Sequence, residues 1–186
     1  MRSKMAIFAS GAGTNASNLI QYFNHHLKGE IIGVYCNNAN AGVCEIARKA
    51  GIPLNLFNRD DFKSGRVLEL LQRTHSDWLI LAGFLWLMPS EYVQAFQGKI
   101  VNIHPALLPA YGGKGMFGHH VHEAVIRNGE KVSGITIHYC NNAYDEGDII
   151  AQYRCPVLPN DTPDSLVKRI HLLEMEWYPK VIEKLL

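Results

Sequence analysis

The chain has 186 residues, of which 47% are apolar, with 18 Lys and Arg against 17 Asp and Glu. That length and apolar content predict one folded domain, residues 1–186, with a buried core and exclude a disordered chain, while the near-neutral balance excludes a general attraction to nucleic acid. Cys36, Cys44, Cys140 and Cys155 are too scattered for a zinc knuckle and read as reduced thiols.

"MAIFAS" reads as a short buried strand, followed by a glycine-rich turn and by "NASNLIQYFNHH", in which Leu19, Ile20 and Phe23 recur at helical spacing. The apolar run before the turn is too short for a signal sequence. The unit then repeats. "IIGVYC" is a strand, "GVCEIARKAG" a helix ended by Gly51, "PLNLF" a strand, and "GRVLELLQRT" a helix with Val67, Leu70 and Leu71 on one side. "DWLILAG" is a fourth strand, "SEYVQAF" a short helix with Ser90 as N-cap, and "KIVNI" a fifth strand. After Pro105 a long loop, "ALLPAYGGKGMFG", precedes the helix "HHVHEAVIRNG", which closes at Gly129. "SGITIHYC" and "DIIAQYRC" form an antiparallel hairpin across "NNAYDEG", and the chain ends in a long amphipathic helix that Pro179 kinks or divides. The expected fold is α/β: a Rossmann-like, mostly parallel sheet with helices on both faces and an antiparallel hairpin toward the C-terminal part. No run reaches the ~18 apolar residues that span a bilayer, so neither a membrane nor a nucleic acid is an expected partner and the chain reads as cytoplasmic.

"GAGTNA", Gly11 to Ala16, matches the dinucleotide pattern between a strand and a helix. The second strand, however, ends in Asn37 and Asn38 rather than in the acid that would hold a ribose, which argues against a nicotinamide or flavin cofactor. Phosphate binding by the N–H groups of Gly13, Thr14 and Asn15 survives that objection, as does a plain tight turn.

In "VNIHP", residues two apart in a strand share a face, so Asn102 and His104 project together while Ile103 turns into the core. An amide donor beside an imidazole, at the carboxyl end of a parallel strand, is placed to stabilise an oxyanion as an amine attacks a carbonyl. The imidazole must then be charged or pass a proton on. Asp145, Glu146 and Asp148 in the following loop are candidates to raise its pKa. No G-x-S-x-G elbow and no Cys with an adjacent base offers a nucleophile. His119, His120 and His122 lack a Cys or acid at familiar ligand spacing, so no metal is expected.

"FASGAGTN", "LAGFLWLMP", "VNIHPALLPAY", "GITIHY" and "YDEGDIIAQ", in this order and spacing, closely resemble the phosphoribosylglycinamide formyltransferases, folate-dependent enzymes of purine biosynthesis. The resemblance implies formyl transfer from 10-formyltetrahydrofolate, as co-substrate, to the amine of glycinamide ribonucleotide. It implies a catalytic trio of Asn102, His104 and Asp145, and a ribonucleotide site of Gly13, Thr14, Asn15 and Glu174. The folate walls would be Leu85, Trp86, Leu87 and Met88 together with Asn102, Asn141, Asn142, Ala143, Tyr144 and Asp145. Thr136 and His138 would support the site from one face of their strand. Trp86 stands where relatives often carry Arg, and "GGKGMFGHH" is longer than the corresponding loop in many of them, so Lys114, His119 and His120 have no direct counterpart. The chain also stops earlier than many members, which is expected to alter surface features more than chemistry. A non-catalytic nucleotide-phosphate binder and a hydrolase releasing formate from the same folate remain the rival readings. Oligomeric state and the isomer of Leu108–Pro109 are not legible in the sequence.

Overall fold

The computed structural model describes residues 2–186. Five parallel strands, β1 (Ser3–Ala9), β2 (Gly29–Cys36), β3 (Leu54–Leu56), β4 (Trp78–Leu81) and β5 (Ile100–His104), are continued by β6 (Val132–Tyr139) and β7 (Ile149–Pro156). The sheet order is β3-β2-β1-β4-β5-β6-β7, parallel as far as β5 and antiparallel from β5 to β6 and β6 to β7. This is the α/β arrangement expected from alternating strand and helix patterns.

Side-chain alternation divides the interior in two. Met5, Ile7 and Ala9 of β1 enter one core, with Leu19, Ile20 and Phe23 of α1 (Thr14–His25), Val43 and Ala47 of α2 (Gly42–Lys49) and Ile170 of α7 (Pro163–Leu185). Ala6 and Phe8 enter the other, with Phe62 of α3 (Arg59–Lys63), Val67 and Leu71 of α4 (Arg66–Arg73) and Tyr92 of α5 (Ser90–Ala95). Burial on both faces explains why β1 reads as an unbroken apolar run rather than an alternating one. α6 (His119–Arg127) follows the long loop and buries Val121, Ala124 and Val125.

Three local expectations change. Ser90 is the first helical residue of α5 and Pro89 is its cap; the Ser90 hydroxyl donates to Glu91 Oε2 instead of closing the helix end. α3 is an additional helix, started by a capping box in which Asn58 and Asp61 satisfy each other's backbone N–H groups. Pro179 does not divide α7, which runs unbroken through it. Proline leaves the carbonyl four residues earlier without its helical donor, and Asn18 Nδ2 of α1 donates to that Met175 oxygen at 2.8 Å. The defect therefore ties the last helix to the first. Leu108–Pro109 is cis.

Tyr178 anchors α7 beneath the strand ends: fully buried, its hydroxyl donates to Leu81 O at 2.8 Å and lies 3.3 Å from Val101 O. Tyr178→Phe removes the donor from two buried carbonyls and is expected to destabilise the fold by about 1–3 kcal/mol. Urea unfolding checks this: the midpoint should fall while the slope stays constant.

Candidate active site

A cavity of about 640 Å³ opens at the carboxyl ends of β1, β4 and β5, with the glycine loop on one wall and Asn102, His104 and Asp145 on another. Strand ends of an open α/β sheet leave such a crevice because the chain turns away there into loops. Gly13 has φ 84°, and a Cβ at that position would lie 2.8 Å from Val43 Cα, so both conformation and crowding require glycine. No side chain caps α1, whose first residue is Thr14, and its N-terminal N–H groups border the cavity as anion donors. Glu174 of α7 lines the same end, 6% exposed, and accepts from Asn15 Nδ2 at 3.1 Å. Burial pushes its carboxyl up to about 7, against the smaller opposing effect of the Asn15 bond.

At the other end the antiparallel hairpin brings Asp145 back over β5. Asp145 Oδ2 accepts the Gly113 N–H at 3.0 Å and lies 3.5 Å from His104 Nδ1; Oδ1 lies 3.5 Å from Asn102 Nδ2. Glu146 and Asp148 are exposed, so of the three loop acids Asp145 is the one beside the imidazole. His104 Nε2 lies 2.7 Å from the Tyr111 carbonyl. A carbonyl only accepts, so Nε2 carries the hydrogen and the neutral ring presents a bare Nδ1 toward the carboxylate. Asn102 Nδ2 also meets His138 Nε2 at 3.1 Å, while His138 Nδ1 faces the Tyr139 carbonyl at 2.9 Å. His138 Nε2 also lies 3.6 Å from Asp145 Oδ1, so this nitrogen faces both the Asn102 amide and the carboxylate.

The expectation that the loop acid keeps His104 charged needs correction. Burial lowers the imidazole pKa, and the attraction of Asp145 and the bond to Tyr111 oppose that without overcoming it. Burial therefore favours the neutral ring in the free protein. For Asp145, burial pushes the carboxyl up, but the His138 ring, the charge His104 can carry and the Gly113 N–H outweigh it and hold the group below its ordinary range.

Thr136 is fully buried; it donates to Ala106 O at 2.7 Å and accepts the Leu108 N–H at 3.0 Å, which fixes the turn leaving His104. Trp86, Leu87 and Met88 border a smaller cavity of about 50 Å³ together with Asn141, Ala143 and Tyr144, and Asn102 and Asp145 close its inner end. Leu85 lines the larger cavity, its N–H bound by Ser10 Oγ at 3.2 Å. Asn142 is exposed and borders neither cavity. Trp86 packs edge-on to Phe57, and the Arg59 guanidinium carbon sits 4.6 Å from its ring centre, so a cation stands at the position's rim although the residue itself is aromatic. Lys114 and His119 line the larger cavity, whereas His120 is exposed beside Glu123.

Sequence reasoning missed Tyr111, Gly113, Ser10 and Gln152. Gln152 donates to both Leu108 O and Thr136 Oγ1 at 2.9 Å, and its position opposite Thr136 emerges only from the strand register.

The formyl transferase family profile matches residues 3–182. A phosphoribosylglycinamide formyltransferase of Bacillus subtilis is 35% identical over 98% of this chain and 94% of its own. The chloroplastic phosphoribosylglycinamide formyltransferase of Arabidopsis thaliana is 40% identical over 97% of this chain, which spans 64% of that relative's length. The crystal structure of glycinamide ribonucleotide transformylase 1 from Geobacillus kaustophilus superposes with a TM-score of 0.91 at 33% identity, covering 100% of both chains.

The Glu174 carboxyl sets a pH dependence. Its pKa is about 7 folded against 4.5 as its ordinary value, so between those limits the folded state holds a proton that the unfolded state has lost, and stability falls as pH rises. Glu174→Gln removes that loss. The variant is expected to match the wild type below pH 4.5 and to exceed it above pH 7, on the order of a few kcal/mol; denaturant melts across that range test it.

Proposed function

We infer the activity from kinship and geometry together: the chain belongs to the formyl transferase family, and we assign it transfer of a formyl group from 10-formyltetrahydrofolate to the amine of glycinamide ribonucleotide. The single observation that carries the assignment is the meeting of Asn102, His104 and Asp145 on one wall of a cavity whose opposite end is an uncapped helix N-terminus. The helix end takes the phosphate of the ribonucleotide through Gly13, Thr14 and Asn15, and Glu174 meets its sugar. The folate lies along Leu85 to Met88 and the loop 141–145, with its formyl carbon toward Asn102.

The amine attacks the formyl carbon; the new C–N bond forms as the carbonyl π pair moves onto oxygen, where the Asn102 amide stabilises the negative charge. The amine must lose a proton. The bare Nδ1 of neutral His104 accepts it, directly or through water, and the imidazolium is then held between two acceptors, the Tyr111 carbonyl and the Asp145 carboxylate. Passing that proton to the folate nitrogen lets its bond to the formyl carbon break, releasing tetrahydrofolate. A charged carboxylate beside a neutral base supports this order of events: Asp145 is ready to stabilise the cation before the cation exists.

His104→Ala and Asn102→Ala are each expected to lower kcat by roughly 10²–10³-fold while calorimetric binding of the ribonucleotide is retained. Turnover is followed with both substrates and with the folate alone. Formate released without the amine would identify a hydrolase instead, and unchanged turnover in His104→Ala would remove that residue from the chemistry.

A further inference from the structure

Three non-glycine residues among those described have positive φ, and two of them, Tyr111 at 58° and Asp145 at 57°, meet at His104 from separate loops. Left-handed backbone costs a side-chain-bearing residue about 1–2 kcal/mol, so something must hold it there. For Tyr111 the holder is its own phenol. The hydroxyl donates to Glu130 Oε1 at 2.6 Å and accepts from Asn128 Nδ2 at 3.0 Å, both just beyond the end of α6. The backbone so fixed does two things. The Tyr111 carbonyl takes His104 Nε2 at 2.7 Å, and the Gly113 N–H, two residues on, takes Asp145 Oδ2 at 3.0 Å. Between them Gly112 leaves no room for error, since a Cβ there would stand 2.5 Å from Leu108 Cδ2 and 3.3 Å from Asp145 Cβ. One short turn thus grips the imidazole and the carboxylate at once, and the Tyr111 phenol, bound to Glu130 and Asn128 away from both cavities, ties it to the end of α6.

We propose that Tyr111 is a positioning residue for the transfer: its phenol, bound to Glu130 and Asn128, fixes the turn that sets the tautomer of His104 and the distance of Asp145 from it. The proposal rests on the formyl transfer reading for its consequence in rate but not for its structural content. If the tether is cut, the Tyr111 carbonyl loses its fixed place, Nε2 no longer holds the hydrogen reliably, and the fraction of rings with a bare Nδ1 beside the carboxylate falls. The phenol itself lines neither cavity, so the loss is expected chiefly in kcat. The groups facing His104 that could blur a titration are Asp145 and His138, with His122 of α6 acting on it at longer range.

Tyr111→Phe is expected to lower kcat by about 10-fold, as loss of near-attack geometry does, with KM for both substrates within about twofold and the acid limb of the kcat profile moved to lower pH. Glu130→Gln keeps an acceptor for the phenol and should restore most of the rate that Glu130→Ala loses. The double variant Tyr111→Phe, Glu130→Ala should be no worse than either single change, because both cut one link. Additive losses, a change confined to KM, or kcat and pH profile both unchanged would each overturn the proposal. Nitrogen NMR of labelled His104 needs no turnover: the wild type should show one tautomer, protonated at Nε2, and Tyr111→Phe an averaged pair with a lower pKa. A tautomer unchanged in the variant refutes the link whatever reaction the protein performs, and absence of formyl transfer by the wild type refutes the reaction alone.

Discussion

The imidazole of His104 is 4% exposed and stands between two oxygen atoms that can only accept. Burial opposes a charge on the ring and the two acceptors favour one, so the protonation state is a balance of large opposing effects rather than a consequence of either. In the free protein burial prevails. A proton arriving at Nδ1 meets a carboxylate already charged and already bound to a backbone N–H, so the solvent need not reorganise around it. A ring charged at rest would have lost the capacity to accept.

That balance requires distances fixed by distant parts of the chain. β5 provides Asn102 and His104 by simple alternation, with Val101 and Ile103 buried on the opposite face. Antiparallel pairing carries the end of β6 to the start of β5, with Tyr139 beside Val101, and the loop before β7 then folds back along β5 to bring Asp145 to Asn102 and His104. Asp145 then reaches the imidazole from a loop closed by Gly147, where a Cβ would run into the Tyr139 carbonyl. α7 secures the remaining wall. Tyr178 bonds the carbonyls of Leu81 and Val101, and Asn18 repairs the helical defect at Pro179, so the helix bearing Glu174 is tied both to the sheet and to the helix that begins at the glycine loop.

Much of this was legible in the sequence because it rests on short-range periodicity. Strand and helix patterns give the sheet, its two covered faces and the C-terminal hairpin, and a period of two places Asn102 beside His104. What the sequence conceals depends on pairing between segments or on backbone dihedrals. Thr136 and Gln152 become partners through the β6–β7 register, and Asn58 opens α3 through a reciprocal bond too short-ranged to stand out among neighbouring polar residues. The left-handed turn at Tyr111 has no compositional mark, since glycines follow it rather than occupy it. The charge state of His104 was also beyond the sequence: an acid nearby is visible in the residues, but the depth of burial that outweighs it is not.

Desolvation acts on the two ends of the cavity in opposite chemical senses with one electrical result. It raises Glu174 to about 7 and lowers His104, so at both groups burial favours the uncharged form. A fully charged carboxylate at Glu174 would repel a phosphate bound at the start of α1, whereas a protonated one donates a hydrogen bond to a sugar or water oxygen. A phosphate dianion entering that end favours the protonated form further, which couples its binding to uptake of a proton. The N-terminal N–H groups of α1 and the Asp145 carboxylate place partial positive and negative charge on different walls of the cavity, with Lys114 adding a cation to its lining. On the proposed reaction, a phosphate held at the first wall and a proton leaving the amine toward the second would each meet charge of the opposite sign.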